Sequence, residues 1–150
     1  MLRSIPLAEV SAHVGKELGV SNWTEITQER INAFAEATGD HHWMHVDIER
    51  ATRERGGTIA HGLLIACLVP TLQGQFMEIT DFAGGYSYGF DKLRFTQPVR
   101  AGQRVRLRQL LHSVGPKNAG TLVTIKCEME IGDEARPALV ADYLAFYRGA

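Results

Sequence analysis

The hydrophobic pattern of the chain changes its period near the middle. In the first half, apolar residues recur at helical spacing, and this pattern predicts a helix from Gln28 to Thr38. Thr27 can cap the start of that helix, and Gly39 supplies its stop. In the second half, apolar and polar residues alternate, as they do in strands with one buried face.

Four further elements are predicted in the first half. They are a helix over Leu7–Leu18, a strand over Val20–Ile26, a helix capped by Asp47 that runs to Arg55, and a helix over the apolar run Leu63–Val69. The last run is apolar on every side, so its helix should be buried, and Pro70 should kink or end it.

Long strands joined by short turns follow. They are predicted over Tyr86–Phe95, over the stretch where Val105, Leu107 and Leu111 alternate with arginines, over Leu122–Ile131 and over Ala138–Tyr147. Such consecutive strands form an antiparallel sheet. Helices followed by strands favour the α+β class, here with a sheet wrapped around one buried helix.

Composition narrows the functional class. The 150 residues fit a single domain over 1–150, and the net charge of -1 lacks the basic excess of nucleic-acid-binding proteins. Cys67 and Cys127 lie in apolar runs without a CxxC spacing, so we expect two buried thiols in a reducing compartment. No secretory signal or membrane-spanning run is apparent, and a cytoplasmic location is expected.

The segment Gly39–Asp47 is unusually rich in groups that transfer protons. Asp40 and His45 are five residues apart, a spacing that points them about 140° apart on a helix and to opposite faces of a strand. They can therefore converge only in an irregular loop, where an aspartate and a histidine are suited to acid–base chemistry.

Two other interpretations of this segment stay open. The polar residues can be ordinary loop residues without a shared task. Alternatively, His41 and His45 share a face if the stretch is helical, and with Asp40 or Asp47 they can bind a metal ion.

A second segment, His61–Gly62, directly precedes the predicted buried helix. The start of a helix offers unpaired backbone N–H groups, and glycine lets a ligand approach the backbone closely. The Gly62 N–H can therefore hold a carbonyl oxygen that gains negative charge during a reaction. Gly62 can equally serve only the packing of helix against sheet.

Lys92 and Arg94 form a third candidate group. They are two residues apart on a predicted strand, so they should point to one side, where they can bind phosphate. A solvated face of the sheet is the alternative interpretation.

Taken together, these segments resemble the MaoC-like dehydratases, the family of R-specific enoyl-CoA hydratases. The resemblance rests on Ala35–Asp47, which contains Thr-Gly-Asp and the later His-x-Asp, on Ala60-His61-Gly62, on Tyr88–Val99 and on Ala101-Gly102. His42 and Trp43 replace the family's usual Asn and Pro, as in its nodulation-N-like branch. Pro70 stands where some relatives carry a serine.

The resemblance implies a hot-dog fold and a homodimer that binds an acyl-CoA thioester near the subunit interface. Asp40 and His45 would activate the water that adds to a trans-2-enoyl thioester, and the Gly62 N–H would polarise the thioester carbonyl. His61, Lys92 and Arg94 are the candidate substrate-binding residues. Neither a metal nor an organic cofactor is expected, because the thioester itself stabilises the enolate.

Two other functions are compatible with the same resemblance. One is a hot-dog subunit that binds acyl-CoA or a partner chain without turnover, which the altered loop at His42 and Trp43 suggests. The other is a hot-dog thioesterase, in which a carboxylate near the helix directs water at the carbonyl.

Overall fold

A six-stranded antiparallel sheet forms one layer of the structure, a computed structural model that describes residues 2–149. Its strands are β2 (Glu17–Val20), β3 (Thr24–Glu25), β5 (Phe82–Phe95), β6 (Arg104–Lys117), β7 (Gly120–Ile131) and β8 (Leu139–Gly149). The spatial order is β2-β6-β7-β8-β5, and β3 pairs with β6 beside β2. Strands β1 (Arg3–Pro6) and β4 (Met77–Thr80) form a separate parallel pair.

The helices all precede the long strands. They are a 3-10 helix (Leu7–His13), α1 (Gln28–Thr38), α2 (Trp43–Val46), α3 (Ile48–Arg55), α4 (Gly62–Cys67) and α5 (Val69–Gln73). Leu64 and Ile65 of α4 and Leu72 of α5 join the same hydrophobic core as Leu107 of β6 and Ile125 of β7. The core therefore lies between the α4–α5 segment and one face of the sheet.

This arrangement confirms the predicted α+β hot-dog architecture. The alternation in β7 is confirmed in full, because the five apolar residues predicted to share a face are all buried: Val123, Ile125, Cys127, Met129 and Ile131. Helix α1 has its predicted bounds. The Arg30 N–H donates to the Thr27 hydroxyl at 3.2 Å, and Gly39 ends the helix in the left-handed region.

The predicted helix over Leu7–Leu18 is wrong beyond His13. The chain turns at Gly15, which has a φ of 81° and donates its N–H to the Leu111 carbonyl. Glu17–Val20 then pairs with β6. The pattern of apolar residues fitted a helix, but hydrogen bonding to a strand distant in sequence determines the conformation. The predicted strand over Val20–Ile26 is likewise divided between the end of β2 and the short β3.

The predicted buried helix is present, but one side of it is exposed. It begins at Gly62 and ends at Cys67, and Pro70 occupies the first turn of α5, where proline is tolerated. Cys67 is exposed, which corrects the prediction that both thiols are buried, and Leu63 is 58% exposed. Apolar composition on every side did not reveal which side the sheet covers. No helix within residues 2–149 has the length and apolarity needed to span a bilayer.

Candidate active site

The Asp40–His45 segment is held between two capped helices. Gly39 ends α1, and the Asp47 carboxylate accepts the Arg50 N–H at 2.9 Å to begin α3. Between them, residues 40–42 are irregular, and the four-residue helix α2 carries His45. The predicted loop therefore contains one helical turn. In this geometry an oxygen of Asp40 and one ring nitrogen of each of His45 and His61 lie within 4.8 Å of one another.

The imidazole of His45 is buried and has a defined tautomer. Its Nδ1 lies 2.7 Å from the carbonyl oxygen of Ile59. Because a carbonyl only accepts, Nδ1 carries the hydrogen, and Nε2 is left with a free lone pair. Burial lowers the pKa of His45, and the hydrogen bond to Ile59 opposes this effect in part. The ring is thus kept neutral and able to accept a proton at Nε2.

A second set of contacts fixes the backbone of His45. The side-chain amide of Gln28, on α1, donates to the His45 carbonyl at 2.7 Å. The other end of the same amide accepts a hydrogen bond from the buried Thr58 hydroxyl. Sequence reasoning missed both residues, because a glutamine in the first turn of a helix carries no signal of a contact 17 residues away.

Asp40 is the accessible member of the site. Its side chain is 56% exposed, and Oδ1 accepts the His42 N–H at 3.3 Å. The Asp40 N–H donates to the Thr38 hydroxyl at 3.4 Å. These local bonds hold the carboxylate beside His45 while leaving it open to a water molecule.

His61 lies against both of these residues. It is 4% exposed, and its ring stacks on that of His45 with centroids 3.8 Å apart. Its Nε2 lies 2.9 Å from the backbone carbonyl of Asp40 and 3.9 Å from Asp40 Oδ2. The structure therefore brings together Asp40, His45 and His61, which the sequence places 5 and 16 residues apart.

Gly62 is the first residue of α4 and follows His61, whose backbone is extended. Within residues 2–149 the Gly62 N–H has no backbone acceptor. A Cβ at this position would lie 2.7 Å from the ring of Phe95, so the aromatic ring rests directly on the glycine. Sequence reasoning missed Phe95 as a part of this site, although Phe95 lies in the family-like segment Tyr88–Val99 that also contains Lys92 and Arg94.

Two cavities meet at His45, Gly62 and Phe95. One has a volume of about 240 Å³ and is lined mainly by apolar side chains, among them Ile59, Ile65, Val99 and Ala138. The other has a volume of about 200 Å³ and contains Asp40, His61, Phe34, Thr38 and Leu63. His45 thus lines both the mainly apolar cavity and the cavity that contains Asp40.

Lys92 and Arg94 lie apart from these cavities. Lys92 has a φ of 52°, and the pairing of β5 with β8 shifts by one residue between Asp91 and Arg94. This bulge breaks the alternation that predicted a common side for the two cations. Lys92 contacts Asp142 at 3.4 Å and lines a different groove on the sheet, while the Arg94 guanidinium donates to the Leu93 carbonyl.

The structure changes which residues could bind a metal ion. The ring of His41 turns away to Glu36, with which its Nε2 makes a 2.9 Å contact, so the predicted His41–His45 pair does not converge. Asp40, His45 and His61 are instead the three groups close enough to share an ion. This set fits a metal poorly, because the His61 nitrogen nearest to Asp40 already carries a hydrogen directed at a carbonyl and the two imidazoles are stacked face to face.

Known proteins with similar sequences support the resemblance. Residues 9–130 match the family model described as the MaoC like domain. The 3-hydroxyacyl-thioester dehydratase Z of Mycobacterium tuberculosis (strain CDC 1551 / Oshkosh) is 41% identical over 143 residues, which cover 94% of this chain and 95% of the relative. Nodulation protein N of Rhizobium meliloti (strain 1021) is 42% identical over 148 residues, covering 96% and 92%.

A solved structure agrees with the fold. An (R)-hydratase from A. caviae involved in PHA biosynthesis superposes with a TM-score of 0.71 at 20% identity, covering 91% of this chain and 96% of that chain. The family match over most of the chain and two relatives above 40% identity confirm the resemblance found in the sequence, including the likeness to nodulation protein N. The chain belongs to the MaoC-like dehydratase family.

Proposed function

We propose that the protein is an R-specific enoyl-CoA hydratase, which adds water across a trans-2-enoyl thioester to give a 3-hydroxyacyl thioester. The observation that carries this proposal is the state of His45. Its Nδ1 hydrogen is directed at the Ile59 carbonyl, which leaves Nε2 free, and a ring nitrogen of His45 lies within 4.8 Å of an Asp40 carboxylate oxygen. His45 and Gly62 line both of the cavities that meet here. The dehydratase name of the M. tuberculosis relative agrees with this chemistry.

In the proposed reaction Asp40, His45 and Gly62 have separate roles. Asp40 orients a water molecule, and His45 Nε2 removes one of its protons while the oxygen bonds to C3. The electrons of the C2=C3 double bond move toward the thioester oxygen, where the Gly62 N–H stabilises the growing negative charge. The imidazolium of His45 then gives this proton to C2, the thioester carbonyl is restored, and the net change is the addition of one water molecule.

The two cavities suggest how the substrate lies. We place the acyl chain in the cavity lined by Ile59 and Val99 and the attacking water in the other cavity, because only the latter contains Asp40. The thioester carbon would then lie beside Gly62, under the ring of Phe95. Since Phe95 is 49% exposed, its ring has room to turn outward as the thioester enters.

The direct test is the absorbance of crotonyl-CoA in the presence of the purified protein. Hydration removes the conjugated enoyl group, so we expect the absorbance to fall without release of free thiol, and chiral chromatography should identify the R product. Release of thiol would instead support the thioesterase, for which Asp40 would direct water at the carbonyl. Tight binding without either change would support the binding subunit.

We propose that the protein is a homodimer. Strand β5 has 14 residues and lies at the end of the sheet, and within residues 2–149 only β8 pairs with it. Tyr86 and Tyr88 of this strand are exposed, and long open edges of this kind are normally covered. Light scattering at micromolar concentration should give twice the chain mass of 16.6 kDa, or a larger even multiple. A monomer mass would contradict the proposal.

Lys92 and Arg94 remain candidates for binding the CoA phosphates only in the homodimer. They lie on the same open-edged strand, and neither lines the two cavities at His45 of their own chain. In a dimer that pairs along β5 they would border the subunit interface, where the family resemblance places the CoA. The contact between Lys92 and Asp142 would have to exchange for a contact with phosphate.

We predict that the reaction needs no metal ion. His45 and Asp40 suffice to activate the water in the proposed mechanism, and the stacked imidazoles suit a metal poorly. Prolonged dialysis against a chelator should leave the hydration rate unchanged, and elemental analysis of the active protein should find less than one ion per ten chains. Loss of activity that zinc restores would overturn this prediction and assign Asp40, His45 and His61 as the ligands.

A further inference from the structure

His61 occupies a central place that the proposed mechanism does not use. Its contacts include His45 by stacking, Asp40 by the hydrogen bond from Nε2 to the backbone carbonyl, and Phe34 by a tilted ring contact at 5.0 Å. With 4% of its surface exposed, little of the ring is left to touch a substrate. Its polar contact and its ring stacking are with the two residues proposed to activate the water.

The tautomer of His61 follows from its contact. Because the Asp40 carbonyl only accepts, Nε2 of His61 carries the hydrogen, and Nδ1 is a buried acceptor without a partner in the described part of the chain. His45 has the opposite tautomer, with its hydrogen on Nδ1. The two stacked rings thus direct their hydrogens to two different backbone carbonyls, and His45 keeps its Nε2 lone pair free.

The short segment Ile59–His61 connects these contacts. The Ile59 carbonyl accepts the His45 hydrogen, and the Ile59 N–H donates to the Met44 carbonyl at 3.1 Å. The Ala60 N–H donates to the Val99 carbonyl at 2.7 Å, which connects the segment to the stretch that follows β5. The His61 side chain donates to the Asp40 carbonyl. The same segment therefore binds His45 through the Ile59 carbonyl and Asp40 through the His61 side chain.

We propose that His61 is a positioning residue of the hydratase site, which holds Asp40 and His45 at the separation that the attacking water requires. This inference rests on the proposed function and replaces the substrate-binding role that the sequence suggested for His61. The Nε2–H fixes the backbone of Asp40, while the face of the ring fixes the plane of His45. A displacement of about 1 Å at a reacting group can cost on the order of 10²-fold in rate.

The test separates the ring from its hydrogen-bond donor. His61→Phe keeps an aromatic ring between His45 and Phe34 but deletes the donor to Asp40. We expect kcat on crotonyl-CoA to fall by about 10–100-fold, while KM and the Kd of 3-hydroxybutyryl-CoA change by less than about threefold. Normal kcat in a folded His61→Phe protein would overturn the proposal. A large rise in KM and Kd at unchanged kcat would do the same, in favour of direct contact with substrate.

A matched pair of amides keeps the test decisive if the phenylalanine variant does not fold. Glutamine can place its N–H₂ group where His61 Nε2 lies, whereas asparagine is too short to reach the Asp40 carbonyl. We expect His61→Gln to retain at least about fivefold more kcat than His61→Asn. Equal or lower kcat in His61→Gln would show that the donor has no role in positioning. Ile125→Val, buried in β7 away from both cavities, is the control for lowered stability alone and should keep normal kcat.

A crystal structure of each protein distinguishes failure of this inference from failure of the proposed function. In His61→Phe the Asp40 carboxylate should move away from His45 Nε2, and in His61→Gln it should return. An undisplaced Asp40 in His61→Phe would overturn the positioning role whatever the reaction is. If the unaltered protein does not hydrate enoyl-CoA, the proposed function fails, while the displacement of Asp40 still tests the role of His61.

Discussion

Asp40→Asn and His45→Gln are each expected to fold and to lose hydration activity by about 10²–10⁴-fold, the usual contribution of a general acid–base group. Asparagine keeps the oxygen that accepts the His42 N–H, and glutamine keeps a polar group near the position of the imidazole Nε2. Both substitutions therefore delete the proton acceptor or the charge while keeping a polar side chain of similar length. Initial rates on crotonyl-CoA measure the loss, and circular dichroism checks the fold.

Combining Asp40→Asn with His45→Gln tests whether the two groups act on the same water molecule. If Asp40 and His45 act on one water molecule, removing the second group after the first costs little more, because the water is no longer activated. We expect the double variant to be less than about tenfold worse than the worse single variant. Losses that multiply fully would show that the two groups act in separate steps. Asp133→Asn and His112→Gln, two exposed positions far along the chain from the site, are the matched controls and should keep normal rates.

The pH profile identifies which group is the base. Burial lowers the pKa of His45 below its ordinary value of 6.5. A base is active when unprotonated, and a lowered pKa means that protonation occurs only at more acidic pH. We therefore expect kcat/KM to persist below pH 6.5 and to fall at a more acidic midpoint. A midpoint above 6.5 would contradict this assignment, and the imidazole-dependent step should disappear in His45→Gln.

Gly62→Pro is expected to lower kcat by about 10²–10³-fold, the cost of one missing oxyanion donor. Proline removes the N–H that has no backbone acceptor within residues 2–149, and at the first position of α4 it breaks no helical hydrogen bond. His61 already has the extended backbone, with φ of -60° and ψ of 133°, that a following proline requires. Substrate binding should weaken much less, because the charge on the oxygen develops mainly in the transition state.

Gly62→Ala is the matched control for the steric effect of proline on the Phe95 ring. Alanine keeps the N–H, yet its Cβ would lie 2.7 Å from the Phe95 ring, as would the Cβ of proline. Both substitutions therefore push the partly exposed Phe95 outward, and only proline removes the donor. We expect alanine mainly to raise KM and proline mainly to lower kcat.

Combining each substitution with Phe95→Ala removes the shared contact with the ring. The difference in kcat between proline and alanine should remain in this background, because it arises from the N–H alone. The measurements are steady-state kinetics and circular dichroism on Gly62→Pro and Gly62→Ala, each with and without Phe95→Ala. A folded Gly62→Pro protein with near-normal kcat would show that Gly62 serves only packing and that the oxyanion is stabilised elsewhere.

The sequence by itself determined the elements whose signals are local. Thr27 and Gly39 set the ends of α1, and Asp47 set the start of α3, because a cap acts within one turn of its helix. The alternation along β7 gave its buried face, because side chains on a strand repeat every two residues. The spacing of Asp40 and His45 correctly required a break in regular structure between them.

Only the tertiary structure decided the contacts between distant segments. Glu17–Val20 became a strand because β6 offered it hydrogen bonds, and Cys67 became exposed because the sheet covers one side of α4 alone. The stacking of His61 on His45 joins residues whose separation of 16 carries no periodic signal. The tautomer of His45 likewise depends on the carbonyl of Ile59, a backbone group that every residue possesses. The Ile59 carbonyl accepts the His45 hydrogen because the folded chain places the two groups 2.7 Å apart.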